Sequence, residues 1–517
     1  MKNKQKSENS DYRLKQNNGE NKMLYQSTRS YKGEKITASQ AIKKGLSDDG
    51  GLYMPEFIPQ LTQDEIIRLT EEDYAHRAAY ILSKFLTDYS YDELLYDCTE
   101  AYSSASFGPN AAPLHRINDR IYSLELWHGP TCAFKDMALQ IMPRLLSRAL
   151  TKNNEKRTAL ILVATSGDTG KAALEGYKNI DGIKIMVFYP QNGVSRVQKL
   201  QMATQTGDNV CVYAINGNFD DAQSGVKRIF ADEKIKQTLE DSNVFLSSAN
   251  SINWGRLAPQ IAYYVSAYCD LIKYGKVEYG QKIDICVPTG NFGNIFAAYI
   301  AKKMGLPLGK FICASNSNNV LTDFLKTGIY DRNRDFHTTI SPSMDILISS
   351  NLERLLYLIA GPVKTAGYMS ELAIRGKYEL ASEDFEKIRK EFVGFYATEE
   401  ETKEKIFDVY SEYGYLIDPH TAVGFCACEK YPADDSDSSK CIVLASTASP
   451  YKFAHDVLLS LYPGTETDDL SALELLSQKT KTDVPAPLAD IGKRNVRFTS
   501  VIEKSDMDAS VIEFAKS

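Results

Sequence analysis

The stretch TALILVATSGDTGKAALEGY, residues 158–177, contains the pattern that decides the fold. Its apolar run 158–164 predicts a buried strand, the glycine-containing turn 165–170 follows at once, and 172–177 predicts a helix. Similar apolar runs recur as KIMVFY (184–189), VCVYAI (210–215), KIDICVP (282–288), KFICA (310–314) and CIVLAS (441–446). Continuous apolar strands separated by helices are typical of a parallel sheet covered on both faces. The sequence therefore predicts an α/β protein with two open, mostly parallel units and a site between them.

Composition narrows the class of protein. The chain has 517 residues, of which 43% are hydrophobic and 25% charged, and a net charge of -7. This is too long for one core, and there is no basic excess to suggest nucleic acid or an anionic membrane surface. No run approaches the ~18 apolar residues of a membrane span, and the N-terminus has no apolar signal core. The nine cysteines are scattered, which predicts reduced thiols in a cytoplasmic protein and no metal site.

The distribution of polar, helical and strand patterns along the chain predicts four regions. Residues 1–22 are polar and are expected to be a disordered N-terminal extension. Residues 23–110 carry helical patterns and predict a mainly helical N-terminal domain. Residues 111–260 and 261–517 contain the strand runs and predict the first and second α/β units. Within the second unit, 361–440 is expected to be mainly helical.

Lys135 lies in the run HGPTCAFKD (128–136), after a glycine-proline turn and before an apolar-periodic stretch that starts at Met137. The lysine is therefore expected at a helix start. Both the positive end of a helix dipole and burial among Cys132 and Phe134 lower the pKa of an amine, and a neutral amine can form a Schiff base. The alternative is a lysine whose stem crosses apolar surface while its ammonium stays in water.

The turn PTGNFGN (288–294) follows one strand run and precedes a helical pattern. Its two glycines allow close approach of the backbone to a ligand, and a helix N-terminus supplies N–H donors and a favourable dipole. These features predict a phosphate cradle, although no Gly-Lys-Ser/Thr follows as in a P-loop. A tight strand-to-helix connection without a ligand is the alternative.

Two further turns could contribute to the site. In TSGDTG (165–170) hydroxyls and N–H groups converge, which suits a carboxylate or a second phosphate. Asp168 would repel such an anion, so it is expected to accept from a hydroxyl or a backbone N–H. Thr447, in STASP (446–450), ends a strand and could reach a ligand off the carboxyl edge of the sheet. Capping or turn roles are the alternative for both segments.

Six segments in the same order resemble the threonine synthase family, in the branch with an N-terminal domain. They are HGPTCAFKD, SGDTG, SINWGR (251–256), PTGNFGN, DPHTAVG (418–424) and STASP, preceded by a family-like start at 23–56. The resemblance covers nearly all of 23–517. It implies the fold type II architecture of pyridoxal-phosphate enzymes, in which two α/β units clasp the cofactor beside a further N-terminal domain.

The resemblance also implies roles for individual residues. Lys135 would be the Schiff-base lysine and catalytic residue, and Thr447 would bond the pyridine nitrogen. The cofactor phosphate would lie against Gly290, Asn291, Phe292, Gly293 and Asn294. Substrate would be bound by Ser166, Asp168, Thr169, Asn253 and Arg256, the last two at the substrate phosphate.

The implied reaction converts O-phospho-L-homoserine and water to L-threonine and phosphate by γ-elimination and β-addition, the last step of threonine biosynthesis. A phospho-lyase of the same fold that releases 2-oxobutyrate, or a non-catalytic pyridoxal-phosphate-binding homologue, is the alternative. Cys132 and Ser449 depart from the family pattern, where an aliphatic residue and, in this branch, often histidine stand. His128 has no assigned role, and a structural one is at least as consistent with the sequence.

Overall fold

The structure, a computed structural model, describes residues 22–30, 32–165, 167–192, 194–432 and 441–517. The predicted extension 1–22 therefore lies, except for Lys22, outside the described residues, as does Ser166. In the described ranges no helix has both the length and the apolar character needed to cross a membrane.

The strands follow the predicted runs closely. In chain order they are β1 (Leu24–Ser27), β2 (Ile36–Thr37), β3 (Tyr53–Pro55), β4 (Leu114–Arg116), β5 (Ile121–Glu125), β6 (Thr158–Ala164), β7 (Ile183–Pro190), β8 (Val210–Ile215), β9 (Val244–Ser247), β10 (Ile283–Pro288), β11 (Leu308–Ser315), β12 (Ile329–Asp331), β13 (Lys377–Glu379), β14 (Phe392–Tyr396), β15 (Ile442–Ser446) and β16 (Val501–Ile502). All six predicted apolar runs are strands, which confirms the sequence pattern.

Helices fill most of the sequence between the strands. The α-helices are Ala38–Lys44, Gln63–Leu69, Tyr74–Phe85, Tyr91–Ala101, Ser104–Phe107, Asp136–Leu139, Met142–Lys152, Asp168–Tyr177, Arg196–Ala203, Phe219–Ala231, Glu233–Asp241, Trp254–Lys273, Gly293–Lys303, Val320–Thr327, Leu352–Arg375, Ser382–Glu391, Glu399–Tyr413, Pro419–Lys430, Ala454–Leu461, Asp469–Thr480 and Met507–Lys516. Short 3-10 segments occur at Pro342–Met344, Pro450–Phe453, Ile491–Lys493 and Lys504–Asp506.

Two large sheets form the body of the molecule. The first has six strands in the order β14-β11-β10-β15-β5-β4, parallel except for β4, and the second has five parallel strands in the order β16-β8-β7-β6-β9. Helices cover these sheets, so that β6, β7, β10, β11 and β15 are buried along most of their length. The predicted fold class, two open and mostly parallel α/β units, is confirmed.

The sheets exchange segments across the predicted unit boundary at residue 260. Strands β4 and β5 belong to the range 111–260, yet they pair in the six-stranded sheet beside β15. Conversely, β16 pairs with β8, and Met507 and Val511 of the last helix pack among Leu160 and Phe188. Strand pairing unites segments distant in sequence, so the units are not continuous stretches of chain. The limits given for the predicted regions stay a prediction.

Two local expectations can be compared with the structure. The described part of 361–440 is mainly helical, as expected, but it also contains β13 and the edge strand β14, which pairs in parallel with β11. The apolar-periodic stretch after Lys135 is two helices, because Pro143 cannot donate to the carbonyl of Leu139. Gly176 approaches that carbonyl so closely that an added Cβ would lie 1.9 Å from its oxygen. At this break the end of the helix Asp136–Leu139 therefore lies directly against the backbone of the helix Asp168–Tyr177.

The N-terminal region packs on this body. Its three strands form an antiparallel sheet in the order β2-β1-β3, and its helices start at well-formed caps such as Thr62 and Ser90. Arg77, buried in this region, forms an ion pair of 2.6 Å with Asp270 on the helix Trp254–Lys273. That contact joins the N-terminal region to a helix whose other end reaches the candidate site.

Candidate active site

Three predicted turns lie at the carboxyl edge of adjacent strands. Strands β10, β15 and β5 are consecutive in the six-stranded sheet and run parallel, so the segments that follow them meet at one edge. The Thr447 carbonyl oxygen accepts a hydrogen bond of 2.8 Å from the Phe134 backbone N–H, and the Ser449 N–H donates to the Cys132 carbonyl oxygen at 3.0 Å. The structure thus brings PTGNFGN, STASP and the lysine-containing run together.

Lys135 ends the segment that follows β5 and immediately precedes the helix Asp136–Leu139, as the sequence predicts. Its Nζ lies 3.1 Å from Ser343 Oγ and 3.5 Å from Asp168 Oδ2. Burial lowers the pKa of the Lys135 ammonium; Asp168 opposes this effect, while Lys452 and Arg256 add to it. The predicted direction of the pKa shift is confirmed, with burial as the main cause.

Asp168 enters from the other sheet, at the start of the helix that follows β6. Its Oδ1 accepts from Lys452 Nζ at 2.7 Å and from Gln198 Nε2 at 2.9 Å, and its Oδ2 accepts from Ser343 Oγ at 3.2 Å. Burial alone raises the pKa of this carboxyl, but the Lys452 and Lys135 ammonium groups hold it below its ordinary value. The partners are thus ammonium, amide and hydroxyl groups; only the hydroxyl matches the sequence expectation.

The turn 288–294, the predicted phosphate cradle, has a tightly constrained backbone. Phe292 adopts the left-handed conformation, with φ 63°, and leads into the helix Gly293–Lys303. A Cβ added at Gly290 would lie 2.5 Å from Ser343 O, so a glycine is required there. The carbonyl oxygens of Gly290 and Asn291 accept from Ser349 Oγ at 2.8 Å and from the Asn351 N–H at 3.0 Å. These acceptors are occupied by protein donors.

Asn294, the last residue of this turn, has a buried side-chain donor without a partner in the described structure. Its Oδ1 accepts from the hydroxyls of Tyr263 and Tyr264, each at 2.5 Å. Its Nδ2 is buried and has no partner among the described residues. A buried amide donor is costly to leave unpaired, so an acceptor group is expected to complete it.

Arg256 is a second buried donor that lacks a full set of partners. Its side chain donates to Ala249 O, while Nε has no partner and no carboxylate of the described ranges lies within ion-pair distance. Burial lowers the pKa of the Arg256 guanidinium to about 10, and the nearby Tyr177 and Tyr263 oppose the shift. The hydroxyl of Tyr177 is likewise buried and unpaired in the described structure. A bound anion would accept hydrogen bonds from both the Arg256 guanidinium and the Tyr177 hydroxyl.

The remaining predicted residues have the following positions. Asn253 donates through Nδ2 to Ile42 O at 2.9 Å and accepts from the Gly255 N–H at 2.9 Å, so it links the helix start to the N-terminal region. Contact of Asn253 with substrate stays a prediction. Thr169 is half-buried beside Asp168. His128 stacks on Trp127 and bonds to Glu125 at 2.6 Å, a structural position.

Sequence reasoning missed Lys452, Ser343 and Gln198, which all contact Asp168. No local pattern marks them, although Lys452 stands only two residues after STASP. Ser343 is held in turn by His420, whose Nε2 accepts the Ser343 N–H at 3.1 Å while Nδ1 faces Asp418 at 2.7 Å. The motif DPHTAVG, used only for the family resemblance, was the available signal for this support.

Family models match almost the whole described chain. Residues 109–447 match the model described as pyridoxal-phosphate dependent enzyme, 24–102 match the threonine synthase N terminus, and 421–512 match the threonine synthase C-terminal model. Together with two α/β units and a buried lysine at their junction, these matches place the chain in the family of pyridoxal-phosphate-dependent enzymes of fold type II.

Individual relatives narrow the class. Threonine synthase of Saccharomyces cerevisiae is 37% identical, over 84% of this chain and 88% of its own length. The crystal structure of Brucella melitensis threonine synthase, described as bound to PLP, superposes with a TM-score of 0.84 at 35% identity, covering 96% of this chain and 100% of that one. The chain belongs to the threonine synthase family.

Human threonine synthase-like 1 is 40% identical, over 83% of this chain but only 59% of its own length. The chain thus spans about three fifths of the length of the threonine synthase-like 1 proteins that it matches.

Proposed function

We propose that the chain converts O-phospho-L-homoserine and water to L-threonine and phosphate, with pyridoxal phosphate as its cofactor. The observation that carries the proposal is the pairing of a buried, pKa-lowered Lys135 with two separate sets of unsatisfied anion donors. One set is the cradle with Asn294, and the other contains Arg256. A cofactor phosphate and a substrate phosphate are the two anions that the reaction requires.

The cradle fits the cofactor. Gly290, Asn291, Phe292, Gly293 and Asn294 would hold its phosphate, Lys135 would hold it covalently through Nζ, and Thr447 would bond its ring nitrogen. Support comes from the unpaired Asn294 Nδ2 and from the space that only glycine leaves at residue 290. When bound, the cofactor supplies an electron sink for negative charge that develops on the substrate.

The protein's own residues supply orientation and proton transfer. Arg256 would bind the substrate phosphate, and the turn 165–170, with Ser166 and Thr169, would bind the substrate carboxylate. Asn253 would fix the start of the helix that carries Arg256. Lys135 Nζ, as a neutral amine, would carry protons between Cα and Cβ of the substrate. Because these groups are buried, the site would exclude water other than the one molecule that adds at Cβ.

Product analysis tests the proposal. The full chain with pyridoxal phosphate is incubated with O-phospho-L-homoserine, and phosphate, threonine and 2-oxobutyrate are measured. Equal release of phosphate and threonine is expected, and L-homoserine, which lacks the phosphate, serves as the matched control and is expected to be inert. A main product of 2-oxobutyrate would support a phospho-lyase. Cofactor binding without any product would support a non-catalytic homologue.

A further inference from the structure

Lys452 is a buried lysine to which the proposed reaction gives no part. It lies in the segment Pro450–Phe453 after β15, and its side chain is 0% exposed. Its Nζ contacts Asp168 Oδ1 at 2.7 Å and Thr131 O at 3.0 Å. Removing an ammonium group from water costs several kcal/mol unless close partners offset it, so an ion pair at this place calls for a functional explanation.

The two oxygens of Asp168 face different partners. Oδ1 receives Lys452 and Gln198, whereas Oδ2 receives Ser343 and, at the longer distance of 3.5 Å, Lys135. The shorter contact of Lys452 fixes the rotation of the carboxylate. Lys452 also neutralises most of the negative charge of Asp168, which would otherwise favour the protonated form of Lys135.

We propose that Lys452 is a positioning residue that keeps Lys135 available as a neutral amine by neutralising and orienting Asp168. The inference rests on the proposed function in one respect, namely that a neutral Lys135 is what cofactor capture requires. The titration of Lys135 itself can be measured without cofactor or substrate.

Other charged groups act on Lys135 from each element around it. Arg256, on the helix Trp254–Lys273, adds positive charge and favours the neutral amine. Asp136, on the helix that Lys135 precedes, is buried, and its Oδ2 accepts from the Thr131 N–H at 2.8 Å. From the segment Pro342–Met344 comes only the neutral hydroxyl of Ser343. Lys452 is thus the ammonium that contacts the carboxylate bonded to Lys135.

The proposal predicts a set of directions. Lys452→Met removes the cation that neutralises Asp168 and repels a protonated Lys135. Both changes favour the protonated form of Lys135, so the titration midpoint of Lys135 rises by about one pH unit. Lys452→Arg keeps the charge and leaves the midpoint near that of the wild type. Lys452→Met combined with Asp168→Asn removes one charge of each sign and returns the midpoint toward the wild-type value. In this double variant both members of the Lys452–Asp168 ion pair are neutral, so neither is left as a charge without its partner.

Competitive acylation measures the midpoint directly. The full chain is freed of bound aldehyde by dialysis against cysteine and labelled with trace acetic anhydride from about pH 6 to about pH 11, the range of lysine titration. Mass spectrometry then gives the labelled fraction of Lys135 at each pH. Melting temperatures of all variants are measured in parallel, because a purely structural role of Lys452 would lower them without moving the midpoint.

Lys171→Met is the matched control. Lys171 is also buried and pairs with Glu175 at 3.0 Å, but it does not contact Asp168. Its replacement is expected to leave the Lys135 midpoint unchanged. A wild-type midpoint in Lys452→Met, or no return in the double variant, would overturn the proposal. Failure of the proposed function would instead appear as absent threonine formation while these midpoints still shift.

Discussion

The turns 165–170 and 288–294 are alike in sequence and opposite in electrostatics. Each follows a parallel strand, contains two glycines and leads into a helix. The second offers donors, among them the unpaired Asn294 Nδ2, and has its carbonyl groups occupied by Ser349 and Asn351. The first carries its own carboxylate, Asp168, and two lysines compensate it. A glycine-rich turn at a helix start therefore does not define an anion site until its charge partners are known.

Because their charges differ, the two turns are expected to have different roles in the site. In the proposed site the turn 288–294 would receive a phosphate directly, because the helix dipole and the N–H donors both favour an anion. In the turn 165–170, Asp168 binds Lys452 and faces Lys135. In the proposed site the other donors of this turn would bind the substrate beside a carboxylate that is already neutralised. Lys135 lies where the two turns meet, one from each sheet.

The largest effect is expected from removing the group between the turns. Lys135→Ala leaves no amine to bind the cofactor covalently or to move protons, so threonine formation should fall by about 10²–10⁴-fold or more. Intact mass after borohydride treatment should show no cofactor attached. Lys236→Ala, at a surface lysine that pairs with Glu233, is the control and should have wild-type turnover. Covalent attachment persisting in Lys135→Ala would place the reactive lysine elsewhere.

Exchange of the polar residues of the turns should separate stability from cofactor affinity. Asp168→Asn leaves Lys452 buried beside a neutral amide, which should cost about 3–5 kcal/mol of unfolding free energy. Asn294→Asp puts a carboxylate where the Tyr263 and Tyr264 hydroxyls can still donate, so its main effect should be loss of cofactor affinity by repulsion of the phosphate. Urea unfolding and cofactor titration of both variants test this. Equal behaviour of the two would mean that the turns do not differ as described.

A methyl group added to the cradle should weaken the cofactor and little else. Gly290→Ala must displace Ser343 O, 2.5 Å from the new Cβ, at a cost of about 1–3 kcal/mol that should lower cofactor affinity. Gly167→Ala, at φ 140° and against Gln198, should instead act through the Asp168 turn and raise the KM for substrate. Equilibrium dialysis and steady-state kinetics distinguish the two. Gly367→Ala, where no heavy atom lies within 4 Å of the new Cβ, is the neutral control.

The smallest effect is expected beside the cradle, on the next strand of the same sheet. Thr447→Ala removes one hydroxyl, so cofactor affinity should fall by the ~0.5–1.5 kcal/mol typical of a single hydrogen bond. Thr465→Ala loses a hydroxyl bonded to Tyr462 O at 2.8 Å and should leave cofactor affinity unchanged. If Thr447→Ala binds cofactor as the wild type does, Thr447 is a turn residue.

Much of the fold could be predicted from local sequence pattern. Runs such as TALILVA and CIVLAS were predicted as strands because they are short, apolar without polar alternation and followed by turn residues, as in strands buried on both faces. The turns at Gly290 and Asp168, and the helix start at Lys135, followed from residues close in sequence. The strand Phe392–Tyr396 was missed because a short run between helical segments has no periodicity of its own.

The sequence alone determined which groups could react: a lysine at a helix start, two glycine turns and an arginine in a family motif. Only the tertiary structure decided their charges and partners. Lys452 reaches Asp168 from a different sheet, and Asn253 bonds to the N-terminal region. Strand β5 pairs with its sequence neighbour β4 on one side, but on the other side it pairs with β15, which is distant in sequence. The tendency of a segment to form a strand, and the position of a helix start, depend mainly on residues close in sequence. The pKa of a buried group instead depends on charges that folding brings near it from any distance along the sequence.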